Sequence, residues 1–195
     1  MNPEEADLKP CELPGADNGQ KLRQFGRHVK LKNSVLVIIR AIRSSDEPLL
    51  ARFHERLTDR SVYLRYFSIL SLSCRVAHEQ LARICMIDDR EFALVAVLQH
   101  EGGVEQEILG LGQMVRRNRP DDAELGLIVR DDYQNQGLGT RLSECLLEIS
   151  RAVGAQRVVS LMLWENLAMR TIGRRFGCDI EFVPGEHAVR ATLAL

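Results

Sequence analysis

Val129-Arg130-Asp131-Asp132-Tyr133-Gln134-Asn135-Gln136-Gly137-Leu138-Gly139-Thr140 stands between an apolar run of strand length, Leu125 to Val129, and a segment where Leu138, Leu142, Cys145, Leu146, Ile149 and Val153 recur at helical spacing. Two glycines therefore sit where a strand hands over to a helix. Without a Cβ at Gly137 or Gly139 a ligand can approach the backbone closely, and the unpaired N–H groups of the first helical turn point at it. Such a place favours an anion, and the stretch is predicted to cradle a pyrophosphate. Two familiar glycine motifs do not fit. A Walker loop needs Gly-Lys-Ser/Thr, and the sequence contains no such tripeptide. The dinucleotide fingerprint needs a third glycine, and Leu142 occupies that slot.

What remains is Gln134-x-x-Gly137-x-Gly139 followed by Thr140, which resembles the acyl-CoA-binding signature of the GNAT superfamily of N-acetyltransferases. A Gly-x-Gly alone would be met equally well by a tight turn with close helix–strand packing. Downstream, Arg157 to Trp164 forms another apolar strand. Asn166-Leu167-Ala168-Met169 then opens a short helix that closes on Phe176-Gly177-Cys178, where the family usually carries Asn and then Gly-Phe. Asn is also a good helix cap and Gly a good left-handed terminator, so both duties can coincide. Two further segments, Ile39 to Leu50 and Tyr63-Leu64-Arg65-Tyr66-Phe67-Ser68, resemble the GNAT domain of bacterial Pat-type protein-lysine acetyltransferases, as does the hairpin before them. Ala41 stands where that group usually has proline and Cys178 where it has Phe.

Composition fits one enzyme domain. At 195 residues and 45% hydrophobic, the chain can bury a sizeable core. With 26 Lys+Arg against 27 Asp+Glu the formal charge is -1, which argues against a nucleic-acid binder. No apolar run reaches membrane-spanning length, and Met1 to Pro14 does not resemble a signal peptide, so a cytoplasmic protein without membrane contact is expected. Five cysteines, with no C-x-x-C pair and no His at ligand spacing, predict neither a disulfide framework nor a metal site.

Residues 1–26 lack periodicity, carry Pro3, Pro10 and Pro14, and are expected to form a flexible tail before a domain spanning 27–195. His28 to Lys32 and Val35 to Ile42 suggest a hairpin. Helices are predicted from Ser45 through Leu57, over Asp59 to Phe67 and over Ala77 to Cys85. Three strands follow as an antiparallel meander: Phe92 to Leu98, Ile108 to Val115 and Glu124 to Val129. The motif helix, a fifth strand, a short helix and strands at Ile180 to Val183 and His187 to Leu193 complete the chain. The expected class is α+β. The resemblance implies the GNAT fold, a mixed, mostly antiparallel central sheet flanked by helices.

The resemblance also implies the chemistry: transfer of an acetyl group from acetyl-CoA to a primary amine, without a metal. The expected acceptor is a protein lysine; a small-molecule amine and a non-catalytic acyl-CoA-sensing module are the alternatives. A homodimer is compatible with the sequence. Ile128, Val129, Gln134, Asn135, Gln136, Gly137, Leu138, Gly139, Thr140, Asn166 and Met169 are the expected acetyl-CoA contacts. A lysine amine has an unperturbed pKa of ~10.4 and needs a base before it can attack a thioester. Glu124 stands where relatives place that carboxylate, and alternation puts it on one strand face with Gly126 and Ile128. A solvated charge following Asp121-Asp122 is the alternative. Tyr63, Tyr66 and Tyr133 are candidate acids, Arg60 and Arg65 candidate acceptor contacts, and the pairs Arg116-Arg117 and Arg174-Arg175 candidate phosphate contacts. A backbone N–H near Ile128 or Val129 is the candidate oxyanion donor.

Overall fold

Alternating apolar residues build the strands, and the computed structural model, which describes Leu22 and residues 24–88, 90–99, 105–116 and 122–195, joins them in one sheet. The strands are β1 (Gly26–Lys30), β2 (Leu36–Ala41), β3 (Glu91–Gln99), β4 (Glu105–Arg116), β5 (Asp122–Val129), β6 (Arg157–Leu163), β7 (Asp179–Phe182) and β8 (Ala188–Ala194). Their order is β1-β2-β3-β4-β5-β6-β8-β7. The expected hairpin and meander give an antiparallel run from β1 to β5, whereas β5 and β6 pair in parallel. β8 inserts between β6 and β7, antiparallel to both.

Period-2 patterning sends side chains to two helical layers. Val37, Ile39, Leu94 and Ala96 face α5 (Leu138–Ala152), whose Leu142, Leu146 and Ile149 are fully buried. That helix lies close because β4 carries Gly110 and Gly112, where a Cβ would come 2.9 Å from Leu142 Cδ1 and Leu146 Cδ1. On the other face, Val95, Val97, Ile108, Leu111 and Ile128 meet α1 (Glu47–Glu55), α2 (Asp59–Tyr66) and α4 (His78–Cys85) through Leu50, Phe53, Val62 and Leu81. One helix was not expected. α3 (Leu72–Arg75) is a single turn whose Ser71 hydroxyl caps Cys74 N–H, too short to show a period. The last helix is α6 (Leu167–Arg175).

The expected start of order near Arg27 is too late. Leu22 and Phe25 are 6% and 5% exposed and belong to the core cluster of Val29 and Ile39. Two large apolar side chains three residues apart plug the sheet although the segment around them has no period; residues 1–21 lie outside the described residues. A chain beginning at Phe25 should therefore be less stable than one that keeps Leu22, by about 2 kcal/mol for one buried leucine. Denaturant unfolding of the two truncations measures the difference, and equal midpoints would remove Leu22 from the core.

His54 on α1 is 2% exposed, stacks edge-on against Phe53, and neither ring nitrogen has a hydrogen-bond partner. Burial, and then the neighbouring Arg75 cation, push its pKa down to about 4. Between pH 6.5 and 4 the unfolded chain therefore binds a proton that the folded chain refuses. The stability contribution is complete above pH 6.5 and is lost as pH falls, by about 2 kcal/mol at pH 5. Exposed His78, raised by its bond to Glu47, works in the opposite sense. Unfolding free energies at pH 7 and 5 should show the loss in the parent protein and a much smaller one in His54→Leu; equal slopes would contradict it.

Candidate active site

β5 and β6 pair only at their beginnings, through Asp122↔Arg157, Ala123↔Val158 and Glu124↔Val159. Beyond Glu124, β5 stays paired to β4 as far as Gly110↔Val129, while β6 follows β8. A gap opens between the parallel strands. Arg130 N–H donates to Leu109 O at 2.9 Å on the β4 side, so strand alternation turns the N–H and C=O groups of Val129 and Leu127 toward the gap. Val129 O accepts from Gln134 Nε2 at 3.1 Å. The Val129 N–H, rather than that of Ile128, is thus the group directed at a ligand in the gap.

The gap widens into a cleft of about 540 Å³ that reaches the start of α5. Asn135 (φ 60°) and Gly137 (φ 90°) turn the chain sharply there. Gly137 is the helix N-cap and supplies no side-chain cap, so the first-turn amides of Leu138, Gly139 and Thr140 have no intrahelical acceptor. A Cβ at Gly137 would stand in open space, and one at Gly139 would lie 3.2 Å from Ile172 Cδ1. The glycines keep the approach to those amides clear.

Charged side chains hold this loop in place. The Asp131 carboxylate accepts from Thr58 N–H at 3.1 Å, Thr58 Oγ1 at 2.8 Å and Ser61 Oγ at 2.7 Å, which fastens the start of α2 to the cradle. Gln134 Nε2 donates to Ser61 Oγ at 3.0 Å. Buried Arg130 donates Nε and Nη2 to Asp132 at 2.7 and 2.8 Å and Nη1 to Glu107 at 2.7 Å. Those bonds raise the Arg130 pKa and hold the Asp132 and Glu107 carboxyls below their usual range. These bonds tie the loop to α2 and β4 through side chains of both signs.

Ile128, Val129, Gln134, Asn135, Gly137, Gly139, Thr140, Asn166 and Met169 border the cleft. Leu138 is 1% exposed, so what it offers is its backbone N–H. Gln136 does not border the cleft; its carbonyl accepts from Lys32 N–H at 3.2 Å. Glu124 sits at the last paired position before the gap, partly buried and outside the cleft lining. Asn166 Oδ1 caps Met169 N–H at 3.1 Å, and Gly177 (φ 77°) terminates α6, so both residues serve as helix punctuation. None of the three tyrosines borders the cleft, and Tyr133 instead packs under Arg130, whose Cζ is 4.8 Å from its ring centroid. Arg175 reaches the cleft, whereas Arg60 pairs with Glu165 at 3.2 Å and Arg116 lies opposite Ala123, at the far end of β5. Arg117 is outside the described residues. Lys32, Ser61 and Ile172 also border the cleft and carry no motif; only the tertiary fold brings them there.

This arrangement, a strand splay leading to an uncapped helix start, lies within residues 37–179, which match the family model of the acetyltransferase (GNAT) domain. The chain belongs to the GNAT family. As a GNAT domain it is an N-acetyltransferase with acetyl-CoA as co-substrate. It is 26% identical over 147 residues to acetyltransferase PA5475 of Pseudomonas aeruginosa, covering 75% of this chain and 73% of that protein. A 55-residue stretch is 42% identical to acetyltransferase Pat of Mycolicibacterium smegmatis, covering 28% of this chain and 16% of that one. Its fold is similar to that of the GNAT domain of S. lividans PAT, with a TM-score of 0.76 and 23% identity over 87% of this chain and 97% of the other. No helix among the described residues of this GNAT domain is long and apolar enough to cross a membrane.

Proposed function

We propose that this GNAT domain acetylates a protein lysine side chain by direct attack of the amine on acetyl-CoA in a ternary complex. The observation that carries the reading is the gap between β5 and β6 ending on the first-turn amides of α5. Those amides and the helix dipole suit a pyrophosphate, and Arg175 and Lys32 stand at the rim for further phosphate charge. In the gap, Val129 N–H polarises the thioester carbonyl and holds the developing oxyanion. Glu124 takes the ammonium proton, directly or through water, on the strand face that it shares with Gly126 and Ile128. The amine nitrogen then bonds to the carbonyl carbon, the carbon–sulfur bond breaks, and the nitrogen gives up its second proton to the departing thiolate. A thiol pKa of ~8.5, by analogy with cysteine, lets that thiolate depart without a dedicated acid. That suits a site where Gly173, packed against Ile180 and Ala191, stands in place of the tyrosine many relatives carry.

The lysine acceptor is supported by the Pat-like segments Ile39 to Leu50 and Tyr63 to Ser68 and by the local identity to acetyltransferase Pat. The reaction is assigned to the cytoplasm, in keeping with free thiols at Cys74, Cys85, Cys145 and Cys178. Incubation with acetyl-CoA, lysine peptides and a panel of small amines, following thiol release and product mass, tests the proposal. Thiol release matched by one acetyl group on lysine Nζ is expected. Acetylation of small amines alone would make this a small-molecule enzyme, and CoA binding without any transfer would make it a sensing module.

A further inference from the structure

Arg65 of α2 lies across β5 inside the cleft. A Cβ built on Gly126 would come 2.6 Å from its Cζ and Nη2, so the guanidinium rests on the strand between Glu124 and Ile128, which share that face. Nη2 donates to Gln113 Oε1 at 3.0 Å, and Gln113 is the β4 partner of Gly126. The cation also stands 5.2 Å from the Tyr66 ring centroid. Both of these partners are neutral. Among the described residues no carboxylate forms a hydrogen bond or ion pair with Arg65, whereas the buried guanidinium of Arg40 grips Asp46 and that of Arg130 grips Asp132 and Glu107. Burial lowers the Arg65 pKa and raises that of the Tyr66 phenol.

A guanidinium carries five donors, and its charge is expensive to strip of water when nothing offsets it. CoA and an acceptor filling the cleft would cover the remaining donors of this cleft-lining side chain. A neutral substrate leaves that penalty in place; a carboxylate removes it and forms a charge-assisted fork. Gly126 lies two to three residues before the Ile128–Val129 level of the thioester carbonyl, roughly 7–10 Å along the strand. With the reach of the arginine side chain, that separation suits a carboxylate a few bonds from the reacting carbon or nitrogen.

We propose that Arg65 is a carboxylate receptor and that this transferase prefers a substrate with a carboxylate near the reacting centre, on the acyl chain or on the amine. The proposal rests on the reading of the β5/β6 gap as the acyl-CoA site. Two matched comparisons separate the sources. In the first, calorimetric affinity and kcat/KM are measured for succinyl-CoA against butyryl-CoA. In the second, acetyl-CoA is held fixed and kcat/KM is compared for lysine peptides with Glu or Gln beside the lysine, and for amino acids against their amides.

The full chain should favour the carboxylate member in one comparison by about 10–100-fold, the range for a hydrogen bond to a charged group. Arg65→Gln should abolish that preference, so that within the variant the carboxylate and neutral members are used equally. Gly126→Ala, which pushes the guanidinium off the strand without removing its charge, should weaken the same preference, and it carries the test if Arg65→Gln fails to fold. Equal use of both members in both comparisons, or a preference that survives both substitutions, overturns the proposal. CoA binding without carboxylate preference defeats this inference alone, whereas a parent protein that binds no CoA defeats the reading of the gap as well.

Discussion

Glu124→Gln is expected to bind acetyl-CoA as the parent protein does and to turn over about 10²–10⁴ times more slowly, the usual loss when a general base is removed. The carboxylate stands at the last β5/β6 pair, where the strands part, and on the strand face that carries Gly126 and Ile128. At neutral pH an amine of pKa ~10.4 is nearly all ammonium, so the chemical step needs a proton acceptor at this point. The loss should fall on kcat, with little change in CoA affinity. The pH–rate profile separates a base from a structural carboxylate. A working base gives an acidic limb that the variant should lack; near-parent turnover with the same limb would move the role to a water chain or another carboxylate.

Gly139→Val should weaken CoA binding by about 10²-fold or more, since the valine methyls would cover first-turn amides whose bonds to a charged phosphate are worth about 1.5–3 kcal/mol each. The added Cβ would already crowd Ile172 Cδ1 at 3.2 Å and reach Leu127 and Val129 within 4 Å. Helix geometry accepts valine at this position, so the fold should survive. Gly137→Val should weaken binding too, but there φ 90° adds backbone strain of about 1–2 kcal/mol to the folded state. Calorimetry for affinity beside thermal unfolding for stability tells the two effects apart. Unchanged CoA affinity in both variants would remove the cradle from the binding site.

What could be read from the chain was local. Gly137 and Gly139 announce a strand-to-helix turn that admits an anion, and Asn166 and Gly177 announce the ends of α6, because turn and cap chemistry depends on near neighbours. The hairpin and meander follow from alternation. The parallel β5/β6 pair that ends at Glu124, and the insertion of β8 between β6 and β7, depend on distant pairing with no local signature. Asp131 shows the same limit. In sequence it is one of two adjacent aspartates with no assigned role, yet in the fold it accepts three hydrogen bonds from Thr58 and Ser61, some 70 residues away. Lys32 reaches the cleft only because its N–H meets Gln136 O across the β1–β2 turn. Arg65 was recognisable as an acceptor-wall candidate, but nothing in its own helix reveals that it rests on Gly126 with only neutral partners.

A crystal structure of the protein with acetyl-CoA tests the placement of the chemistry most directly. The pyrophosphate should lie on the N–H groups of Leu138, Gly139 and Thr140, with the thioester carbonyl within hydrogen-bonding reach of Val129 N–H in the β5/β6 gap. A pyrophosphate seated elsewhere, for example in the cavity bordered by Arg52, Arg56 and Arg130, would contradict the account.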